Sequence, residues 1–286
     1  MLEDVNNEEL DIDVVVDEHF NRDNYLTWLA VNLIMGNIDT NSQNFYLYSP
    51  KNSPTWYFLP WDYDGAWGFY NQFGKTYTNR PPWQKGVSDY GGVVLTRRFL
   101  EKEKNVEQLI SKVEELNKII TTENTSMILD GYYQAIQGFL SQNPDLSGLP
   151  KGNGTIKEEL ERIIAAPEKN IIDFYDSIKT PMPVFTCDPY ETEDNKIGFA
   201  WGKSFCPNGD EITYELTISS DPDFQKVILD LKNITATNYS IDELDEGTYF
   251  FKLSINSSNG ASQVTFDKYT DEKGKVYFGI RKVIID

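Results

Sequence analysis

Histidine is almost missing from this sequence: one residue, His19, occurs in 286. A Ser-His-Asp or Cys-His mechanism would hang on that single imidazole, and its place beside Phe20 reads as structural, which argues against a nucleophile-histidine hydrolase. Cysteine is nearly as scarce. Cys187 and Cys206 are the only two, both in the last third, without metal-ligand spacing. They are compatible with one disulfide in an extracytoplasmic domain or with two buried free thiols. Positive charge is also short, 26 Lys and Arg against 45 Asp and Glu, for a net charge of −19. That balance disfavours nucleic acid and anionic membrane as partners, since both require basic patches. It fits a soluble protein and suits a basic protein substrate. No stretch of eighteen apolar residues is present, so no integral membrane segment is expected. Met1-Leu2-Glu3-Asp4 lacks the basic and apolar regions of a signal peptide, and the chain begins as if cut from something longer. Met1–Asp13, acidic, reads as a frayed tail or the end of a missing element.

What the chain does have is 40% hydrophobic and 14% aromatic residues, enough for real cores, and a length that predicts two domains. Tyr25, Leu26, Leu29, Leu33 and Ile34 recur at helical spacing between about Asn21 and Met35, with Gly36 as the stop. Next come two short apolar-aromatic runs, Asn44–Tyr48 and Thr55–Leu59, joined by the Pro/Asn/Ser turn Ser49–Pro54. This pattern predicts a β-hairpin. Asp39 precedes the first strand, with Asn44 five positions on, and Asp62-Tyr63-Asp64-Gly65 follows the second. A hairpin folds its own ends together, so Asp39, Asn44 and Asp62 are expected to converge. Carboxylates and a carboxamide are hard oxygen ligands, suited to Mg²⁺ or Mn²⁺ held by a few protein groups plus substrate phosphates. The competing reading is that these Asp and Asn residues simply cap and turn. Trp56, Trp61 and Trp67 read as packing.

The layout is that of a protein kinase, where a catalytic-loop Asp is followed five residues later by a metal-holding Asn and, after a short hairpin, by a metal-holding Asp near Gly. Asp23-Asn24, Gly36-Asn37-x-Asp39, Asn44-Phe-Tyr-Leu-Tyr48, Leu59-Pro60-Trp61-Asp62-Tyr63-Asp64 and Trp67-Gly68 resemble the core of the CotH family, the spore-coat protein H-like atypical protein kinases of bacteria. The resemblance is specific over about residues 17–70 and extends to about 178. It implies ATP- and metal-dependent phosphorylation of protein Ser/Thr side chains. It further implies Asp39 as catalytic base, Asn44 and Asp62 as metal ligands, and Asp64 as a further candidate ligand. The cofactors expected are therefore ATP with Mg²⁺ or Mn²⁺.

Residues 69–91 read as a long loop, placed where a kinase carries its activation segment or substrate platform, with Arg80 and Lys85 read as solvated loop charges ahead of the alternative that they meet phosphate or substrate. Helical spacing follows in Val93–Leu100, Val106–Ile120 and Thr125–Leu140, whose stripe of Ile128, Leu129, Tyr132, Tyr133, Ile136 and Phe139 is expected to pack in a bundle. Asn143–Asn153 is a Pro/Gly loop. Thr155-Ile-Lys-Glu158 is a capping box opening a last helix that Pro167 should kink or split. Thr180-Pro-Met-Pro183 marks a domain boundary, so the expected division is 1–179 and 180–286. Beyond it the period changes to alternation, with six or seven strands in Ile197–Trp201, Ile212–Ser219, Val227–Leu231, Thr248–Asn256, Ser262–Phe266 and Val276–Ile285. These predict an Ig-like sandwich. Trp201, the run from Tyr214, Asp221-Pro-Asp-Phe224 and Gly247-Thr-Tyr-Phe-Phe resemble fibronectin type III-like domains of bacterial surface proteins. Asp210, Asp221 and Asp223 read as turn carboxylates rather than a calcium site.

The expected class is thus α+β: a mostly helical kinase-like C-lobe with a hairpin at the metal site, then an all-β fibronectin type III-like sandwich. A kinase also needs a Gly-rich loop and a strand Lys ahead of its catalytic loop. The 38 residues before Asp39 contain no Lys, and Gly36 is the first Gly. These 286 residues alone are therefore expected to bind ATP poorly and turn it over negligibly. The alternative is a non-enzymatic surface module on a kinase-like scaffold, whose C-terminal domain binds a surface ligand. Either reading places the protein extracytoplasmically, at the cell surface or spore coat.

Overall fold

The computed structural model describes residues 1–74, 79–149 and 155–285. It mixes helix and sheet. In chain order the helices are α1 (Leu2–Asn6), α2 (Ile12–His19), α3 (Arg22–Met35), α4 (Val94–Leu100), α5 (Glu103–Asn117), α6 (Thr122–Leu140), α7 (Asp145–Gly148) and α8 (Ile156–Ser177). The strands are β1 (Phe45–Tyr48), β2 (Tyr57–Pro60), β3 (Tyr190–Glu191), β4 (Ile197–Ala200), β5 (Ile212–Ser219), β6 (Val227–Ile234), β7 (Asn238–Ile241), β8 (Gly247–Ser257), β9 (Ser262–Val264), β10 (Lys268–Thr270), β11 (Val276–Phe278) and β12 (Ile280–Ile285). Two compact units emerge: Met1–Thr78 with Lys104–Tyr175, and Asn79–Glu103 with Asp176–Asp286. A cut near residue 180 would assign 79–103 to the first unit. Compactness groups that segment with the strands instead.

In the first unit, α3 starts at Asn21, whose side chain accepts the Asn24 N–H at 2.9 Å, and stops at Gly36, which is left-handed at φ 61°. A Cβ at Gly36 would lie 2.5 Å from the Asn170 amide, so glycine is required there for space as well as conformation. One side of α3 meets the hairpin through an aromatic cluster. Trp28 lies 4.5 Å from Phe58 and 5.3 Å from Phe45 between ring centroids, with Tyr25 and Phe20 also against Phe58. Asn24 reinforces the packing with two bonds to the Phe58 backbone, accepting its N–H at 2.7 Å and donating to its carbonyl at 3.2 Å. Burying Phe58 contributes about 2–3 kcal/mol, and the Asn24 bonds set which strand residue is buried.

The N-terminal thirteen residues are not a frayed tail. Val5 and Ile12 are buried, and His19 Nε2 lies 2.7 Å from Asp4 Oδ2, giving the lone histidine a structural role. Arg22 pairs with Asp13 and Asp17, while buried Asn105 of α5 donates to Asp13 and accepts from Arg22, each at 2.9 Å. This network anchors α2 to α3 and α5.

Helix α8 opens with the expected capping box. The Glu158 N–H donates to Thr155 Oγ1 at 3.2 Å, and the Thr155 N–H donates to Glu158 Oε2 at 2.6 Å. It does not split at Pro167 but runs unbroken to Ser177. Pro167 and Ala166 are buried, as is Phe174 further on, and this packing offsets the lost backbone bond. The other departure is α6. Its apolar stripe was expected in a bundle, yet none of its residues is buried, and Ile128, Tyr132, Ile136 and Phe139 are exposed.

The second unit is built on two larger antiparallel sheets and a two-stranded β10-β11 ladder. One runs β12-β8-β5-β6 with β9 also on β8, and the other runs β3-β4-β7. Phe199, Trp201 and Ile241 from one side and Leu216, Ile218, Phe251, Leu253 and Ile255 from the other join in one hydrophobic cluster. The sequence missed the short strands β3, β7 and β10. It also read β11 and β12 as one strand, although Gly279 at φ 71° breaks them. Segment 79–103 joins this unit through Trp83, edge-on to Phe266 and Phe278 at 5.5 and 5.6 Å, and through Arg97, which donates to the Pro183 carbonyl at 3.2 Å. The cysteines form no disulfide: Cys206 is buried, but Cys187 is exposed, so the paired-thiol and two-buried-thiol expectations both give way.

Candidate active site

The hairpin delivers the four residues singled out above. Asp39 lies in the loop after α3, Asn44 immediately before β1, and Asp62 and Asp64 in the turn after β2. Strand register pairs Phe45 with Pro60, so the neighbours of those two positions, Asn44 and Trp61, lie at the same end of the ladder. Asn44 Nδ2 donates to Asp39 Oδ2 at 3.3 Å. Asp39 is partly covered, whereas Asp62 and Asp64 are exposed. Burial first, then the charges of Asp64 and Asp62, push the Asp39 carboxyl above its ordinary value. The three carboxylates therefore share one electrostatic neighbourhood.

The backbone is bent to reach this arrangement. Asn44 and Asp62 both adopt left-handed conformations, φ 61° and 49°. Asn and Asp tolerate that region better than other side chains, but two such residues at two candidate ligand positions are a local cost of about 1 kcal/mol each, maintained by the surroundings. Gly65 is the second requirement. A Cβ there would stand 2.8 Å from Asp39 Oδ2 and 3.2 Å from Asn37 Oδ1. Only glycine lets the acidic turn approach the Asp39 side chain this closely.

Residues that sequence reasoning did not mark as functional complete the frame. Asn37 is buried, its Oδ1 accepting the Asp39 N–H at 3.3 Å while its Nδ2 has no acceptor among the described residues. Met35 and α8 hold the far end of the turn. The Trp67 N–H donates to the Met35 carbonyl at 2.7 Å, and Arg162 donates to the Trp67 carbonyl. Arg162 also pairs with Glu159, Nε to Oε2 at 3.0 Å, and Glu159 accepts the Phe73 N–H at 2.9 Å. Burial works against the ionised Glu159, yet Arg162 and the Phe73 N–H hold its carboxyl below the ordinary value. About two turns further along α8, Asn170 donates to the Ile34 carbonyl at 3.1 Å, bracing the end of α3 that leads into the Asp39 loop. The i, i+3 spacing of Glu159 and Arg162 was visible in the sequence, but their target 95 residues away from Arg162 was not.

Trp61 departs from its packing assignment. It is 55% exposed and meets Tyr46 edge-on at 5.2 Å, leaving an aromatic surface beside the acidic turn.

The donor set is all hard oxygen, which suits Mg²⁺ or Mn²⁺. Among the described residues no three Asp, Glu, His or Cys side chains stand close enough to form a complete cage. The residues fit the mode in which one or two carboxylates and a carboxamide contribute and substrate phosphates supply the rest.

Comparison with known proteins gives one curated relative and one family model. The Inner spore coat protein H of Bacillus subtilis (strain 168) is 27% identical over 136 residues, which is 45% of this chain and 34% of that protein. The match thus spans about a third of the relative's length. The family model described as CotH kinase protein matches residues 1–169, which include Asp39, Asn44, Asp62, Asp64 and the α8 residues Glu159 and Arg162. With more than half of its length matched, the chain belongs to the CotH kinase family.

Proposed function

We propose that the first unit is the C-lobe portion of a metal-dependent protein kinase that transfers the γ-phosphate of ATP to protein Ser/Thr. The observation that carries this reading is the convergence of Asp39, Asn44 and the Asp62–Asp64 turn at one end of a hairpin, in a chain of a kinase family. Asp39 is the base: its raised proton affinity favours taking the proton from a substrate hydroxyl. Asn44, tethered to Asp39, and Asp62, with Asp64 as the further candidate, would hold Mg²⁺ or Mn²⁺. Once bound, the metal would neutralise phosphate charge during transfer. Gly65 and the α8 frame keep the acidic turn against Asp39 without touching substrate.

The second unit is read as a fibronectin type III-like sandwich. Three strands in the order β3-β4-β7 sharing a core with β12-β8-β5-β6 support that reading. Its turn carboxylates are engaged: Asp221 accepts the N–H groups of Asp223, Gln225 and Lys226, and Asp223 pairs with Lys275 at 2.5 Å. A spacer or surface-ligand role fits better than calcium binding. The name of the Bacillus subtilis relative supports a spore-coat association, and an extracytoplasmic or cell-surface place is part of the same proposal.

The second reading is a non-enzymatic surface module on a kinase-like scaffold. Isothermal titration of Mn²⁺ with ATP separates the two. We expect weak, metal-dependent binding that an Asp39→Ala/Asp62→Ala variant loses. Equal heats from both proteins would favour the scaffold. In a phosphoryl-transfer assay the 286 residues alone are expected to give negligible turnover. Measurable transfer abolished by Asp39→Ala would show that they are sufficient for catalysis.

A further inference from the structure

Two turns of the second unit carry the same dipeptide and hang on the same carboxylate. Asn208 and Asn259 are each followed by glycine, both are exposed, and both donate Nδ2 to Asp210 Oδ2, at 2.7 and 2.6 Å. Asn259 Nδ2 also donates to the Lys179 carbonyl at 2.8 Å, clasping the segment that leads to β3 against the turn between β8 and β9. An Asn-Gly pair carries its own chemistry. The glycine nitrogen can attack the asparagine Cγ, because no glycine side chain obstructs the approach. Both turns restrain that nitrogen alike: the Gly260 N–H donates to the Ser257 carbonyl at 3.0 Å, and the Gly209 N–H to the Cys206 carbonyl at 2.9 Å. Two other features separate the sites. The Ala261 N–H donates to Asn259 Oδ1 at 2.7 Å, polarising Cγ, and this bond strengthens as charge develops on the oxygen. The matching bond at Asn208, from the Asp210 N–H, is 3.3 Å long. A Cβ at Gly260 would meet nothing within 4 Å, whereas one at Gly209 would lie 2.5 Å from Glu103 Oε1. Glu103 thus crowds the Gly209 peptide and opposes negative charge on its nitrogen.

We propose that Asn259 is a deamidation site, modified ahead of Asn208, and that its modification releases the Lys179 clasp. The Gly260 nitrogen loses its proton to hydroxide and forms a bond to Asn259 Cγ. The Cγ–Nδ2 bond then breaks, and the nitrogen takes a proton from water and leaves as ammonia. The five-membered succinimide that results adds water at either carbonyl, giving aspartate or isoaspartate. Water is the only co-reactant, and nothing is oxidised or reduced. In the product a carboxylate stands where the amide donor was. It faces Asp210 Oδ2 and the Lys179 carbonyl, both of them acceptors, so a pair of hydrogen bonds becomes a repulsion between like charges.

The test is peptide mapping by mass spectrometry of the whole folded chain, aged in warm, mildly alkaline buffer, with isoaspartate read by enzymatic methylation. We expect the Asn259 peptide to convert several-fold faster than the Asn208 peptide, and the two rates to come together in chain unfolded by urea. Equal rates in the folded chain, or Asn208 ahead, would overturn the assignment of the site. The release is read separately. Asn259→Asp should lower the melting temperature at neutral pH, and Asp210→Asn in that background should restore it. A melting temperature unchanged by Asn259→Asp, or a loss that Asp210→Asn does not restore, would overturn the release.

Discussion

The two units treat their carboxylates in opposite ways. In the second, Asp267 is buried and fully engaged: Thr186 donates to both its oxygens at 3.0 and 2.9 Å, Thr265 donates at 2.6 Å, and Arg281 pairs with it at 2.7 Å. Asp221 is wrapped by backbone N–H groups, which together outweigh burial and hold its carboxyl below the ordinary value. In the first, Asp39 receives only the Asn44 amide at 3.3 Å among the side-chain bonds described, and it faces Asp62 and Asp64, which repel it. Two left-handed backbones and a mandatory glycine hold that repulsion in place. Carboxylates that build structure are surrounded by donors. A carboxylate that faces like charges with few donors has its proton affinity raised, and groups perturbed in this way cluster where chemistry is done.

The largest effect expected from this contrast is at Asp267. Asp267→Ala removes the shared acceptor of Thr186 and Thr265 and the buried partner of Arg281, which keeps only the exposed Asp188 and the Thr186 carbonyl, and should cost about 3 kcal/mol in denaturant unfolding. A loss below about 1 kcal/mol would show that the pair is structurally idle. A middle-sized effect is expected at Arg162. Arg162→Ala removes the donor to the Trp67 carbonyl and leaves Glu159 without its cation, costing about 1–3 kcal/mol. It should also weaken Mn·ATP binding, which Glu158→Ala, a capping change on the same helix, should not. Equal losses of binding in both variants would reduce the α8 frame to general helix stability.

The smallest effect is at Asp39, and its sign is the informative part. The native state raises the Asp39 carboxyl above its unfolded value, so ionisation opposes folding. The stability this group contributes is full below the ordinary carboxylate range and is lost as pH rises through the raised value. Asp39→Asn should therefore leave the melting temperature near wild type in acid and raise it slightly at neutral pH, by about 1–2 °C. A lower melting temperature at neutral pH would mean that Asp39 is a structural carboxylate like Asp267.

Much of this was legible in sequence because it is local. Asn21, Gly36 and the periodic Tyr25–Ile34 pattern define α3 to within a residue, and Thr155 with Glu158 marks the start of α8. The hairpin and the closeness of Asp39 to Asn44 follow from turn chemistry and alternation. What sequence could not show depends on long-range packing. The α6 stripe is amphipathic whether or not anything covers it. Pro167 breaks a helix only where tertiary contacts fail to compensate, and here Ala166 and Phe174 are buried. The reach of Arg162 to Trp67, and of Trp83 to Phe266, is set by how elements meet rather than by their own periodicity.

The most direct measurement is paramagnetic broadening of backbone amide signals by substoichiometric Mn²⁺ with ATP. Broadening is expected at residues 37–46 and 61–66 and absent at 219–226 and 265–268, with Asp39→Ala/Asp62→Ala removing it. Broadening of both regions alike, or of neither, would contradict the division between a cation-ready cluster in the first unit and satisfied carboxylates in the second.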